Sequence, residues 1–146
     1  MLKRIRVGLS FVVMLMAVLP TVAQVRHVTT VNPQTKQSYM EVYEYDYVDI
    51  QPQFPGGERG LINFINKTRE YPYHAYKKRI QGRVLCSFIV GVDGKVSDIR
   101  VIRGADDESL NREAIRVIGK MPKWSVGKVG DHAVPVRMVL PINFRL

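Results

Sequence analysis

The residues of this chain that could do chemistry are scattered along the sequence. The three histidines, His27, His74 and His132, each lack a second ligand at metal-site spacing. The single cysteine, Cys86, lies within an apolar stretch that predicts a strand, where it has neither the exposure nor the neighbouring base that a nucleophile needs. No serine stands in a nucleophile elbow. The sequence therefore predicts no enzyme activity, no metal ion and no cofactor.

The remaining chemistry is hydrogen bonding by the backbone of the last apolar segment, residues 133–144. Because proline lacks a backbone N–H, Pro135 and Pro141 predict an edge strand whose N–H side faces solvent. Alternate residues of a strand direct their backbone groups to the same side, so the odd-numbered residues should face the open edge. The candidate binding residues on this edge are Arg137, Val139 and Asn143. Such an edge is either protected by its prolines or used to accept an extended peptide, and the pattern leaves both alternatives open.

Three segments with strand periodicity must build this edge. Residues 82–92 and 96–102 predict two strands joined by a tight two-residue turn at Asp93-Gly94. The apolar phase slips within the second segment, which predicts a β-bulge. In residues 133–144 the even-numbered side chains are apolar, so we expect them to face the core.

Two amphipathic helices complete the predicted domain. The first spans residues 58–68, and the second spans residues 108–121 with Asp106 or Asp107 as its N-cap. Pro72 predicts the start of a short helical turn between them. This order of elements predicts an α+β fold, in which a three-stranded antiparallel sheet with a β-β-α-β core has two main helices packed on one face.

The N-terminal segment predicts export. Basic residues, an apolar run and small residues up to Ala23 predict a signal peptide over residues 1–23, and the alternative is a retained membrane anchor. Either interpretation places the folded part outside the cytoplasm, free or anchored to the membrane. Residues 24–52 predict a tether with a short strand over 41–49, and residues 53–146 predict the folded domain.

The charge of the chain is strongly positive. It has 22 lysines and arginines against 13 acidic residues, a formal net charge of +9. Such a surface suits anionic partners, but an exported protein does not meet nucleic acid, so we predict no nucleic-acid partner. A single cysteine excludes an intramolecular disulfide.

An ordered set of short motifs resembles the TonB C-terminal domain family, in the variety found in Bacteroidota-type Gram-negative bacteria. In chain order the motifs are Phe54-Pro55-Gly56-Gly57, Tyr71-Pro72-x-x-Ala75, Gly82-Arg83-Val84, Phe88-x-Val90, Asp93-Gly94-Lys95-Val96, Leu110, Glu113-Ala114, Met121-Pro122-Lys123-Trp124 and Pro141-Ile142-x-Phe144. The resemblance covers residues 53–146, which is the whole predicted domain.

The resemblance implies a periplasmic module that binds the TonB box of outer-membrane receptors by strand addition and supports energy-coupled transport across the outer membrane. On this chain it implies that Arg137, Val139 and Asn143 lie on the receptor-binding edge, with Tyr71 and Pro72 close to the same groove. The implied substrates of the receptors are siderophores, vitamin B12 or glycans.

The resemblance also implies partners. They are TonB-dependent receptors and, if the N-terminal segment is retained, the motor proteins ExbB and ExbD; a homodimer formed by exchange of the last strand stays open. The alternative interpretation is a non-transducing adaptor or structural domain of the cell envelope, which uses the same fold to bind other proteins or peptidoglycan.

Overall fold

The computed structural model describes residues 42–146, so the predicted signal segment 1–23 and most of the predicted tether lie outside the described residues. The helices are α1 (Gly57–Thr68), α2 (Tyr73–Lys77) and α3 (Glu108–Gly119). The strands are β1 (Tyr43–Glu44), β2 (Gly82–Val90), β3 (Val96–Arg103), β4 (Gly127–Val129), β5 (His132–Val134) and β6 (Val136–Phe144). Within residues 42–146, no helix is both long enough and apolar enough to cross a bilayer.

A four-stranded sheet in the order β1-β6-β2-β3 forms the frame of the domain. β6 pairs with β2 in antiparallel register over its full length, from Val136 opposite Val90 to Phe144 opposite Gly82. β2 pairs with β3 as an antiparallel hairpin. These three strands and the helices confirm the predicted α+β fold, and β1 adds a short parallel strand beside β6.

The hairpin between β2 and β3 differs from the predicted one in its turn. Val90 pairs with Val96, so the loop spans residues 91–95 and the predicted two-residue turn is wrong. The loop is closed by hydrogen bonds of its own, in which the Gly91 N–H donates to the Lys95 carbonyl at 2.9 Å and the Gly94 N–H donates to the Gly91 carbonyl at 2.9 Å. The predicted bulge is confirmed by register shifts along this pair of strands.

The predicted last strand is divided at Pro135. Its first part, β5, leaves the main sheet and pairs with β4, whereas its second part, β6, stays in the sheet. The division falls at Pro135 because β2 ends at Val90, opposite Val136, and the Pro135 carbonyl instead accepts a hydrogen bond from the Tyr43 N–H at 2.9 Å. The predicted strand over 41–49 is likewise shorter, because a 3-10 turn at Tyr45–Tyr47 follows β1 directly.

The larger of two hydrophobic clusters lies on one face of the sheet, beneath α1 and α3, and the smaller one consists of Val48, Val134 and Val136. The helix α3 begins at the predicted cap, where Asp107 Oδ1 accepts from the Ser109 N–H at 2.8 Å. The fully or nearly fully buried core side chains are Val84, Cys86, Phe88 and Val90 of β2, Leu110, Ala114 and Ile118 of α3, and Ile142 and Phe144 of β6. Burial raises the pKa of the Cys86 thiol to about 11, so the thiol stays protonated and packs as a small apolar group.

A close backbone contact joins the β2–β3 loop to the chain after α3. Gly94 has φ +81°, and its carbonyl accepts from the Trp124 N–H at 2.9 Å. A Cβ atom on Gly94 would lie 2.2 Å from the Trp124 carbonyl oxygen. Only glycine therefore lets the loop and Trp124 approach this closely.

We expect Gly94→Ala to destabilise the domain by about 3 kcal/mol or more, because it adds a backbone clash to the strain of a left-handed conformation. The matched control is Gly130→Ala, which has φ +57° but nothing within 4 Å of the added Cβ. That change should cost only about 1 kcal/mol. Urea unfolding followed by circular dichroism measures both, and equal losses would contradict the contact as the cause.

Candidate functional site

The outer edge of β6 presents its odd-numbered backbone groups away from β2. The Pro135 carbonyl accepts from Tyr43, and the Asn143 carbonyl accepts from the guanidinium of Arg69. Because alternate residues of a strand share one direction, Val139 and Pro141 face the same side. A proline at 141 therefore leaves no ladder hydrogen bond to β2 unmade.

The first part of this edge is already occupied. Glu44 of β1 pairs with Arg137, so the prediction that Arg137 offers a free backbone pair is wrong. The reason is that the chain entering the domain lies against this end of β6, with Val42 completely buried. The Arg137 side chain is only 18% exposed, and its Nε lies 3.8 Å from Glu44 Oε1.

The open part of the edge, which we call the edge window, comprises Val139 to Asn143. Among the described strands only β1 and β2 pair with β6, and β1 ends at Glu44. Val139 is 53% exposed and Asn143 is also exposed. With the Asn143 carbonyl held by Arg69, the groups that can accept a further strand are the Val139 N–H and carbonyl, the Pro141 carbonyl and the Asn143 N–H.

A cavity of about 630 Å³, which we call the edge groove, lies beside the edge window on the core side of the sheet. Its apolar lining includes Phe54, Leu61, Phe88, Trp124, Met138 and Leu140. Its charged lining consists of Glu44, Asp46, Glu58 and Arg137. The groove is thus formed by the strand β6, the start of α1, the 3-10 turn and the chain after α3, which are far apart in the sequence.

Three aromatic rings hold the floor of the edge groove in place. The ring of Trp124 lies 5.5 Å from that of Phe54, edge to face, and 5.5 Å from that of Phe88. Phe54 is brought there by the loop before α1, where Gly56 has φ +81° and caps the helix. The sequence motif around Phe54-Pro55-Gly56-Gly57 therefore shapes one wall of the groove.

The structure places Tyr71 and Pro72 at the far end of the edge window rather than in the edge groove. Pro72 is the N-cap of α2. The Tyr71 hydroxyl donates to the Ile80 carbonyl, and its ring lies edge to face with Phe144 at 5.9 Å. Tyr71 thus packs against the end of β6 at Phe144, Pro72 caps α2, and a direct role of either residue in binding stays a prediction.

The junction between α1 and α2 is fixed by an ion pair on α3 that sequence reasoning missed. Glu113 Oε1 accepts from the Glu70 N–H at 2.7 Å, and Arg116 donates to the Thr68 carbonyl at 2.7 Å and to both Glu113 oxygens. In the sequence the pair has the three-residue spacing typical of a solvated helix surface, which gives no sign of these contacts. It positions Arg69, and through Arg69 the Asn143 carbonyl.

Hydrogen bonding makes the charged form of Glu113 favourable. Burial raises the pKa of Glu113, but the hydrogen bonds from Arg116 and from the Glu70 N–H outweigh it, and the net pKa is lowered. The carboxylate should therefore stabilise the folded domain at neutral pH.

Comparisons of this chain with family models and with known proteins agree on one family. The family model described as Gram-negative bacterial TonB protein C-terminal matches residues 67–146. Protein TonB of Helicobacter pylori is 37% identical over 87 residues, which cover 56% of this chain and 28% of that protein. Protein tonB2 of Pseudomonas aeruginosa is 30% identical over 94 residues, which cover 63% of this chain and 33% of that protein. The chain thus matches about a third or less of the length of these relatives.

A solved structure is also similar to this chain. The NMR solution structure of the Helicobacter pylori TonB-CTD aligns with a TM-score of 0.48 and 29% sequence identity. The alignment covers 59% of this chain and 77% of that one.

We expect Glu113→Gln to lower the free energy of unfolding at neutral pH by about 1–2 kcal/mol, because a buried charged hydrogen bond is lost. The folded-state pKa is lowered, so this stabilisation is present above the ordinary pKa of glutamate, about 4.3, and is lost as the pH falls through the folded-state value. The difference between the two proteins in urea unfolding should therefore shrink toward about pH 3.

The matched control is Glu70→Gln, whose exposed carboxylate lies 4.0 Å from Arg116. Its effect should be small at every pH, since exposed pairs contribute little. A Glu113→Gln difference that did not depend on pH would contradict the assigned role of the carboxylate.

Proposed function

The chain belongs to the family of Gram-negative bacterial TonB protein C-terminal domains, and we propose that its described domain binds the TonB box of outer-membrane receptors. In this proposal the TonB box adds as a strand to the edge window of β6, and the domain, residues 53–146, supports energy-coupled transport across the outer membrane. The observation that carries the proposal is the set of unpaired outward-facing backbone groups, namely the Val139 N–H and carbonyl, the Pro141 carbonyl and the Asn143 N–H, beside a groove of about 630 Å³.

Strand addition suits this edge because one strand of the same chain, β1, already pairs with the outer side of β6. β1 lies along the outer side of β6 with Tyr43 opposite Val136 and Glu44 opposite Arg137, and the Tyr43 N–H donates to the Pro135 carbonyl at 2.9 Å. An incoming peptide would continue the same edge beyond Arg137, where an extended chain finds donors and acceptors at the strand spacing. Backbone pairing supplies affinity in this mode of recognition, and side-chain pockets supply specificity.

The number of available groups bounds the affinity from backbone pairing. The edge window offers four groups, and each hydrogen bond contributes about 1 kcal/mol net, so pairing alone gives about 4 kcal/mol. That value corresponds to a Kd of about 1 mM. Backbone pairing therefore supports a reversible contact, and tighter binding requires side-chain contacts.

The proposal extends to the parts of the chain outside the described residues. A periplasmic location follows from the predicted signal segment, and the predicted alternative, a retained anchor, would place ExbB and ExbD within reach as partners. The proposed primary partners are TonB-dependent receptors. A homodimer that uses the same edge would compete with them, because one edge accepts one strand at a time.

We expect Val139→Pro to abolish the binding of a synthetic TonB-box peptide while preserving the fold. Proline removes the Val139 N–H, which no described strand uses, so the ladder with β2 stays intact. Two-dimensional NMR measures the binding through shifts of the backbone amides of residues 138–143, except Pro141, when the peptide is titrated.

The control variant is Val139→Thr, which keeps both the N–H and a β-branched side chain. It should bind the peptide with nearly unchanged affinity. The proposal fails if the peptide binds the Val139→Pro variant as well as the natural protein, or if the shifted amides lie on another surface.

A further inference from the structure

The short helix α2 has two exposed aromatic side chains. Its inward residue, Ala75, is completely buried, whereas Tyr73 is 73% exposed and Tyr76 is 58% exposed. These tyrosines are three residues apart, so they lie on the same face of the helix. Lys77 lies there too, because its Nζ is 5.4 Å from the centre of the Tyr73 ring. The core does not use this face, and an exposed cluster of large rings marks a surface for contact with a partner.

Three consecutive cations, Lys77, Lys78 and Arg79, continue this surface past the end of α2. All three are exposed, and no ion pair joins any of them to another residue of the described range 42–146. We call the set of Tyr73, Tyr76, Lys77, Lys78 and Arg79 the α2 patch. It contains no acid, so its charge is available to an anionic partner.

Arg79 occupies a backbone position that favours glycine. It has φ +52° at the first position beyond the C-cap of α2. The Arg79 N–H donates to the Tyr76 carbonyl at 3.0 Å, and the Ile80 N–H donates to the Ala75 carbonyl at 2.8 Å. This is the Schellman pattern of helix ends, whose left-handed residue is usually glycine. The backbone therefore gives no reason for an arginine, and a function of its exposed side chain does.

Two acids at the start of α3, the helix next to α2, are engaged within the chain. Asp107 accepts from the Ser109 N–H at 2.8 Å, and Glu108 accepts from Asn111 Nδ2 at 3.0 Å. The hydrogen bonds from Ser109 lower the pKa of Asp107, and the charge of His74 adds to this effect. These acids therefore interact with residues outside the α2 patch and leave its cations unpaired.

We propose that the α2 patch docks the domain on the anionic headgroups of a phospholipid membrane. Tyrosine is favoured at headgroup depth, because its ring is apolar and its hydroxyl is polar. Lysine and arginine bind the lipid phosphates there, while their alkyl stems cover the apolar border. A soluble acidic segment would satisfy the cations but offers no apolar layer for the two rings.

The predicted location of the chain brings such a membrane within reach. Residues 1–23 predict a signal peptide or a retained anchor, and both place the domain outside the cytoplasm. The ring of Tyr71 lies 6.2 Å from that of Tyr76 and 5.9 Å from that of Phe144, so a docked domain would hold the end of β6 close to the lipid surface. Lipid docking does not require strand addition, and it therefore goes beyond the proposed function.

Co-sedimentation with lipid vesicles tests the docking. One set of vesicles mixes phosphatidylglycerol with phosphatidylcholine, and the other contains phosphatidylcholine alone. The protein is used without the predicted signal segment 1–23, whose apolar run would itself enter lipid, and this omission removes none of the contacts described above. The anionic vesicles should bind the protein about tenfold or more tightly than the neutral ones, and added salt should weaken the binding.

Reversal of two charges in the α2 patch should remove most of the binding. The variant Lys77→Glu with Lys78→Glu should bind anionic vesicles about 20-fold more weakly, because each basic residue near such a surface contributes about fivefold. The matched control is Lys120→Glu with Lys123→Glu, two exposed lysines beyond the other end of α3 that give the same change in net charge. The control should lose only about twofold, through the net charge of the protein.

Replacement of Arg79 by glycine separates lipid binding from folding. Arg79→Gly should weaken binding to anionic vesicles about fivefold. In urea unfolding the same variant should be as stable as the natural protein or more stable, because glycine adopts a positive φ without strain. A purely structural role of Arg79 would give a loss of stability together with unchanged lipid binding.

Removal of the two rings tests the apolar part of the contact. Tyr73→Ala with Tyr76→Ala should weaken vesicle binding about tenfold, and the loss should persist at high salt. The control is Tyr45→Ala with Tyr47→Ala, a pair whose side chains are 40% and 45% exposed elsewhere on the domain. The control should bind vesicles like the natural protein.

Three results would overturn lipid docking. They are equal binding to anionic and neutral vesicles, equal losses in the two lysine variants, and binding to soluble poly-glutamate that is as tight as binding to anionic vesicles and independent of the tyrosines. The last result would assign the α2 patch to acidic protein segments. Peptide-induced shifts of the edge amides should be unchanged in Lys77→Glu with Lys78→Glu, so a failure of strand addition is measured separately.

Discussion

The nine-residue pairing of β6 with β2 is the constraint on which the site depends. It commits the even-numbered backbone groups of β6 to the sheet and turns the odd-numbered groups outward, so the location of the edge is fixed by register. The same register sends Met138 and Leu140 toward the groove. A slip of one residue would exchange the two faces and the two edges together, and the site would be lost with the core.

Contacts distant from the outer edge of β6 determine which of its backbone groups are unpaired. The Glu113–Arg116 pair fixes the backbone before α2 and thereby positions Arg69. The Arg69 guanidinium donates to the Asn143 carbonyl, and this hydrogen bond limits the edge window at that end. Gly94 admits Trp124 to the floor of the groove. The edge window is therefore open only between the end of β1 and the Asn143 carbonyl, and both limits are set by tertiary contacts.

Sequence reasoning predicted the frame of the domain better than its site. The parity of Pro135 and Pro141 identified the outward-facing backbone groups, because proline chemistry and strand alternation are local rules. The pairing of Arg137 with β1 and the capping by Arg69 were missed, because both join segments more than 70 residues apart. No periodic pattern in one segment reports on a contact with a distant one.

The position of β1 decides how a pull on the chain would travel through the domain. β1 and the edge window lie on the outer side of one strand, so the segment that enters at Val42 and any attached peptide are linked through β6 without the helices between them. Tension applied ahead of Val42 would first load the two backbone pairs of β1, the shortest pairing in the sheet. Under tension these two pairs would therefore separate first, while β6 keeps its nine pairs with β2.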